Sequence, residues 1–353
     1  MSIKSEERDV IISDLIDMIA DEEDAFSVTK FAVSHGLTTQ SIYRYINKLV
    51  DSKKIKKERI GRKSVYRFIN EYKSFSKELT GLHEDTVWRT EIRPFLFDMP
   101  KIAYTNLNYA FTEMLNNAID HSGGTKVKIS VEKNCHDVSI IISDDGIGIF
   151  KKIADAMGLE ENSFAILELA KGKFTTEPES HTGEGVFFSS KVVDDFAIFS
   201  EDLVFLGPSS DNNPYVDKAR TFRKGTTVFL RIKNSHKETS KEVFDRFTEA
   251  PESYGFTKTI VPVRLLEYGD DRPLVVSRSQ AKRLMVRFDR FENIVLDFSG
   301  IEEIGQGFAD ELFRVFPSQH PNTILTPINC SEQVNNMIQR VLYMAAFEKV
   351  KNE

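Results

Sequence analysis

Three short stretches of the chain carry residue types that could do chemistry together. In residues 112–122 (TEMLNNAIDHS), Glu113, Asn116 and Asn117 stand at i, i+3 and i+4, so on a helix a carboxylate and two amides share one face. Some twenty residues on comes Asp144-Asp145-Gly146-Ile147-Gly148, and later Gly183-Glu184-Gly185. An octahedral Mg²⁺ that carries triphosphate oxygens keeps several waters and takes few protein ligands, which a short amide or carboxylate can supply. The apolar run 138–142 reads as a buried strand that delivers Asp144 to its end, where glycines let backbone approach a flat ring closely. The second glycine pair leaves its N–H groups unobstructed, as a phosphate cradle opening into a helix requires. The order points to an ATP site with Mg²⁺. A polar helix face is the bland reading of Asn116 and Asn117, but it leaves both glycine boxes unexplained.

The same order and spacing resembles the GHKL (Bergerat-fold) superfamily: histidine kinases, anti-sigma-factor kinases, gyrase, mismatch-repair and heat-shock-chaperone ATPases. The resemblance covers roughly residues 100–232 and closes with Gly225-Thr226-Thr227-Val228, similar to the family's final Gly-Thr strand. It implies an α/β sandwich in which Asn117 ligates Mg²⁺ and Asp144 accepts from the adenine amino group. Gly146 and Gly148 would wall the base, Gly183 and Gly185 would lie under the phosphates, and Thr226 would support the adenine end. Glu113 matches the acid that polarises attacking water in the hydrolytic members. Lys171-Gly172-Lys173-Phe174-Thr175-Thr176 and Ser180-His181-Thr182 offer donors of the kind that kinase-like relatives close on phosphates, Lys173 among them. They read equally well as plain loop, with Gly172 and Gly183 as hinges. His121 is commonly polar in anti-sigma-type relatives and stands no nearer than behind the ligands.

A site of this kind needs a scaffold, and 353 residues suffice for two or three domains. The expectation is an α/β multidomain chain: a winged helix-turn-helix over 1–75, an ATPase over 76–250 with a linker helix at 76–100, and a STAS-like domain over 255–353. In the first unit, apolar residues recur at helical spacing in 10–20, and a second helix over 28–34 ends at His35-Gly36. Thr38 or Thr39 then caps a third helix through Ile42, Ile46 and Leu49. Helix, glycine turn and helix would present Thr39, Gln40, Ser41, Tyr43 and Arg44 to a DNA major groove. Two short strands around Gly61-Arg62-Lys63 resemble the wing of winged-helix domains. From Asp51 to Arg67, eight Lys/Arg face two acids, so this stretch carries +6 and the rest of the chain −13. That asymmetry fits a basic binding face on one module. Protein docking or dimerisation through the same fold is the alternative, and a homodimer is left open.

In the linker, Leu82-His83-Glu84-Asp85 superficially resembles a phosphoacceptor box, yet the segment has room for only one helix, broken at Pro94. His83 is expected on a wet surface, with Trp88 and Leu96 docked on the ATPase. At the other end, strand–helix alternation predicts a small α/β sandwich. The run IVLDFSGIEEIGQGFADELFRVF resembles STAS domains, the fold of anti-sigma-factor antagonists, and more closely a STAS-like domain found beside GHKL ATPases. Antagonist STAS domains carry Asp-Ser where this chain has Gly305-Gln306, and glutamine accepts no phosphoryl group. The domain is therefore expected to dock or sense, with Ser299 capping a turn.

No apolar stretch approaches the ~18–20 residues of a membrane span, and the first ten residues lack a signal peptide's apolar core. Cys135 and Cys330 have no metal-ligand spacing, which predicts reduced thiols in a cytoplasm. The function expected is an ATP-dependent transcriptional regulator with double-stranded DNA and a protein partner of the STAS-like domain. A serine or histidine protein kinase acting in trans and a non-catalytic scaffold with structural nucleotide are its rivals.

Overall fold

The structure, a computed structural model, describes residues 5–21, 26–61, 63–174, 183–208, 215–248, 256–266 and 274–352. Near the amino terminus, helices α1 (Ser5–Asp21), α2 (Val28–Ser34) and α3 (Thr39–Asp51) precede an antiparallel hairpin, β1 (Ile55–Ile60) and β2 (Lys63–Phe68). Ser27 caps α2 by accepting from the Lys30 amide, and Thr38 caps α3 by accepting from the Ser41 amide. Gly36 turns the chain between them at φ 63°, a conformation that favours glycine. Leu15, Phe31, Ile42, Ile46 and Ile55 are buried in a core of this unit's own.

The linker helix expected over 76–100 is confined to residues 84–92. Residues Glu71–Glu78 instead make β3, the edge strand of the central sheet, paired antiparallel with β4 (Lys126–Lys133) from Glu71↔Lys133 to Glu78↔Lys126. Exposure alternates along EYKSFSKE because one face of this strand is half covered and the other is wet. The first unit therefore gives way to the second near residue 70. Only α4 (Glu84–Val87) and a widened π-turn (Trp88–Ile92) are helical in the rest of the linker. Trp88 docks as expected, donating from Nε1 to the Tyr104 hydroxyl at 2.8 Å and packing on Phe111. Leu96 is buried and His83 exposed.

The central domain continues with α5 (Lys101–Asn116), which widens into a π-turn over Asn117–His121. After β4 come β5 (Asp137–Asp144), α6 (Ile149–Met157), α7 (Phe164–Lys171), α8 (Gly185–Val192), β6 (Asp195–Leu206), β7 (Tyr215–Lys233) and α9 (Ser240–Asp245). The sheet is antiparallel in the order β3-β4-β5-β7-β6. Period-2 alternation in β4 and β5 sends Val127, Ile129, Val131, Val138, Ile140 and Ile142 to the buried face.

The carboxy-terminal domain is a parallel sheet in the order β10-β9-β8, built from β8 (Lys258–Pro262), β9 (Asn293–Asp297) and β10 (Ile324–Ile328). Its helices are α10 (Arg278–Met285), α11 (Gln306–Asp310), which passes through a π-turn (Glu311–Val315) into α12 (Phe316–Gln319), and α13 (Glu332–Asn352). Parallel neighbours need such crossovers. Its core is continuous with that of the central domain, one cluster running from Leu79 to Val341. Among the described residues, no helix is long and apolar enough to cross a membrane.

Candidate functional site

The end of β5, the π-turn after α5, the start of α6 and the start of α8 converge on one cavity of about 150 Å³. Glu113, Asn117, Asp144, Gly148, Gly183, Gly185 and Thr226 all line it. Pairing of β5 with β7 brings Ser143 opposite Thr227, which sets Asp144 beside Gly225 and Thr226. Asp144 Oδ1 accepts from the amides of Gly146 at 2.9 Å and Thr226 at 3.2 Å. Burial raises its carboxyl above the ordinary range, and these two amides hold it back. With Oδ1 engaged, Oδ2 is the oxygen left for a ligand's donor. Asp145 does different work. Its carboxylate accepts from the amides of Thr125 and Lys126 and from the Thr125 hydroxyl. The Lys126 amide, then the Thr125 hydroxyl, lower its pKa to about 2.

The glycines are required by contact. A Cβ on Gly146 would lie 2.2 Å from the Ser122 carbonyl oxygen, and one on Gly148 (φ 91°) would lie 2.5 Å from Ser200 Oγ. Thr226 joins the two walls, because its hydroxyl accepts from the Ile149 amide at 3.0 Å where α6 begins.

At the other glycine pair, Gly183 accepts from the Phe174 amide at 3.1 Å, and a Cβ on Gly183 would lie 2.3 Å from the Phe174 carbonyl oxygen. Gly185 opens α8, and a Cβ there would lie 2.1 Å from Glu113 Oε2. The Glu113 carboxylate thus stands at a helix start, where an anion and the helix dipole would meet. Burial, then the charges of Glu113 and Glu184, push the nearby Tyr109 phenol well above its ordinary range.

Asn117 tests whether a cation suits the site. Its Nδ2 is buried with no hydrogen-bond partner, at the cavity wall. Amide O and N are interchangeable by a flip, and an oxygen in that position suits Mg²⁺, which takes one or two protein oxygens. Asn116 is not part of the lining.

Lys173 is placed elsewhere. Its ammonium donates to the Arg290 carbonyl at 2.9 Å and lies 4.9 Å from the Phe291 ring centroid, so it faces the carboxy-terminal domain and not the cavity. Lys152, Ser122 and Phe174 line the cavity without having been singled out as ligands. For Lys152 the signal was its place in the first turn of the helix that follows the Asp-x-Gly-x-Gly box. Thr175, Thr176, Ser180, His181 and Thr182 lie outside the described residues.

In the first unit, Thr39, Gln40, Tyr43 and Arg44 are exposed along the start of α3, with Ser41 half-buried. Lys63 is exposed beside the Gly61 turn, and Arg62 lies outside the described residues. In the carboxy-terminal domain, Ser299 donates from N and Oγ to Asp297 Oδ1, at 2.9 and 2.7 Å, and so closes a turn. Gln306 is the exposed first residue of α11.

The family model of Histidine kinase-, DNA gyrase B-, and HSP90-like ATPases matches residues 103–236, and that of a STAS-like domain of unknown function (DUF4325) matches residues 280–335. Among curated proteins no match to the chain is found. An ATPase domain of the GHKL, histidine-kinase-like type and a STAS-like domain are thus present in one chain. A domain of the first kind implies ATP binding, usually with Mg²⁺.

Proposed function

We propose that the chain is an ATP-dependent transcriptional regulator of the cytoplasm, in which ATP with Mg²⁺ biases a DNA-binding module and a STAS-like effector. The observation that carries this is the convergence of Glu113, Asn117, Asp144, Gly183, Gly185 and Thr226 on one cavity. Asp144 and Thr226 would hold adenine, Gly146 and Gly148 would lie against the ring, and Gly183 and Gly185 would lie under the phosphates. Asn117 would present its oxygen to Mg²⁺, whose charge would offset that of the phosphates. Glu113, beside Gly185, would orient and polarise a water. Lys173 has no part in this reading.

DNA binding is supported by the solvent-facing Thr39, Gln40, Tyr43 and Arg44 at the start of a capped helix, and by the basic stretch that follows. Helix N-terminal residues in the major groove and cations on the backbone would share recognition. Measuring nucleotide turnover by the full chain with and without duplex DNA tests the whole reading. Turnover lost in Glu113→Ala with ATP affinity kept, and altered by DNA, is the expected result. Replacing Arg62 and Lys63 with alanine should weaken binding to all duplexes alike and flatten the slope of log affinity against log salt by about 0.9 per lost phosphate contact. No salt-sensitive binding to any duplex would leave the amino-terminal unit a protein-docking module. Labelled phosphate transferred to a protein would favour a kinase in its place.

A further inference from the structure

Three charged side chains are buried together where the ATPase domain meets the STAS-like domain. The side chain of Glu168, on α7, is 3 % exposed, that of Lys171 0 % and that of Arg287 9 %. Lys171 Nζ donates to Glu168 Oε1 at 2.5 Å and to the Val286 carbonyl at 3.0 Å. Arg287 Nη1 donates to Glu168 Oε2 at 3.1 Å, and Nη2 to the Gly172 carbonyl at 2.7 Å. One carboxylate serves cations from two domains. Apolar side chains of similar volume often stabilise a fold as well as such a cluster does, so stability alone is a poor account of it.

What the cluster holds is the path from α7 to the cavity. The Arg287 guanidinium lies 5.3 Å from the Phe174 ring centroid, and Phe174 lines the cavity and bonds Gly183 through its amide. Thr259 donates to the Lys171 carbonyl at 2.8 Å, and Arg290 Nη1 to the Lys173 carbonyl at 3.2 Å, so the same path is fastened twice more from the STAS-like side. Lys173 (φ 52°) and Arg287 (φ 64°) are both left-handed, which non-glycine residues sustain only where their surroundings fix them.

We infer that Arg287, supplied by the STAS-like domain, is a positioning residue for the nucleotide site: by holding Glu168, Gly172 and Phe174 it sets where Gly183 and Gly185 stand under the phosphates. This rests on the nucleotide reading above. The adenine end has fastenings of its own, because Asp144 and Thr226 are bonded to each other and to the starts of neighbouring elements, not to this path.

The test is titration of ATP and of adenosine into the full chain, wild type and variants, by calorimetry. Arg287→Met should weaken ATP roughly tenfold, within the ~5–150-fold range of coupled sites, while adenosine stays within about twofold. Arg287→Lys should recover only part of the loss, since a single ammonium cannot span Glu168 and the Gly172 carbonyl as a guanidinium fork does. Phe174→Leu should reproduce the ATP-selective loss, and the double variant should add little to it. If Arg287→Met does not fold, Phe174→Leu decides by the same criterion. Equal losses for ATP and adenosine would reduce Arg287 to a structural role, and unchanged ATP affinity would overturn the inference outright. A wild-type chain that binds no ATP would bring down the nucleotide reading itself, and this inference with it.

Discussion

Toward the amino-terminal unit the ATPase domain offers a small and mainly polar seam: Asp17 Oδ1 lies 3.3 Å from His136 Nε2, Ser235 reaches Asp17 at 3.5 Å, and Phe68 stacks on the His136 ring at 5.6 Å. Toward the STAS-like domain it offers phenylalanines. Phe256 packs on Phe187 at 4.5 Å, on Phe188 at 5.2 Å and on Phe291 at 5.5 Å between ring centroids, inside one core that crosses the boundary. The first unit keeps its own core, against which Cys135 packs. A polar seam between separate cores leaves relative motion as the default, whereas a shared apolar core does not. The pair teaches how one chain can carry a stiff joint and a yielding one: a change at the cavity would be felt by the STAS-like domain as packing, and by the amino-terminal unit as orientation.

Truncation should expose this contrast most visibly. Removing residues 256–353 strips Phe256 and Phe291 from the cluster and uncovers Glu168 and Lys171, so the remaining ATPase domain should lose cooperative unfolding. Removing residues 1–69 should leave the rest with a thermal transition within a few degrees of its original value. Two truncations that melt alike would end the comparison. Next in size, Glu168→Ala leaves Lys171 and Arg287 buried without their shared anion and should cost about 3–5 kcal/mol in denaturant unfolding.

Nucleotide sharpens the contrast further. At a hundredfold excess over its Kd, ATP should stabilise the unit containing both ATPase and STAS-like domains by about 2.7 kcal/mol. The transition of the amino-terminal unit should stay where it is. Asp144→Asn should lose that shift, because an amide facing the adenine amino group exchanges a charge-assisted bond worth ~1.5–3 kcal/mol for two opposed donors. Its apo form should fold at least as well as the wild type, since the amide oxygen still accepts from Gly146 and Thr226 and the buried charge is gone. Calorimetric scans of both proteins check this. The smallest effect belongs to the seam: Asp17→Ala should cost only about 1 kcal/mol, the net worth of one polar contact, since the buried His136 keeps Asp137 at 2.9 Å. A larger loss there would mean that the yielding joint is stiffer than its polarity suggests.

Much of the ATPase domain was legible because its glycines are fixed by contacts no other residue survives. Gly146 against Ser122 and Gly183 against Phe174 leave their mark in the order of letters. The helices of the first unit were legible too, through Thr38 and Gly36, which act within a turn of their own position. What escaped was non-local. SKEL reads as helix by propensity, yet β3 is a strand because β4 offers it an edge about fifty residues downstream. Glu168 stands in FAILELAK with no sign of burial, Lys171 reads as a loop donor where it is the buried last residue of α7, and nothing nearby announces Arg287, 119 residues on from Glu168. Lys173 misled for the same reason, since its acceptor lies 117 residues away.

The engagement of Asp144 Oδ1 by two backbone amides has one further consequence. An oxygen held by Gly146 and Thr226 is kept from turning, so what the carboxylate would show to a base is a fixed acceptor. Guanine presents a carbonyl where adenine presents an amino group, and two acceptors facing each other in a buried site repel. Discrimination of this kind comes from a group left unpaired, not from a tighter fit, and polar sites reject such ligands far more strongly than apolar pockets reject a missing methyl. The pair of amides behind Asp144 would thus make the site deaf to GTP, however abundant it is.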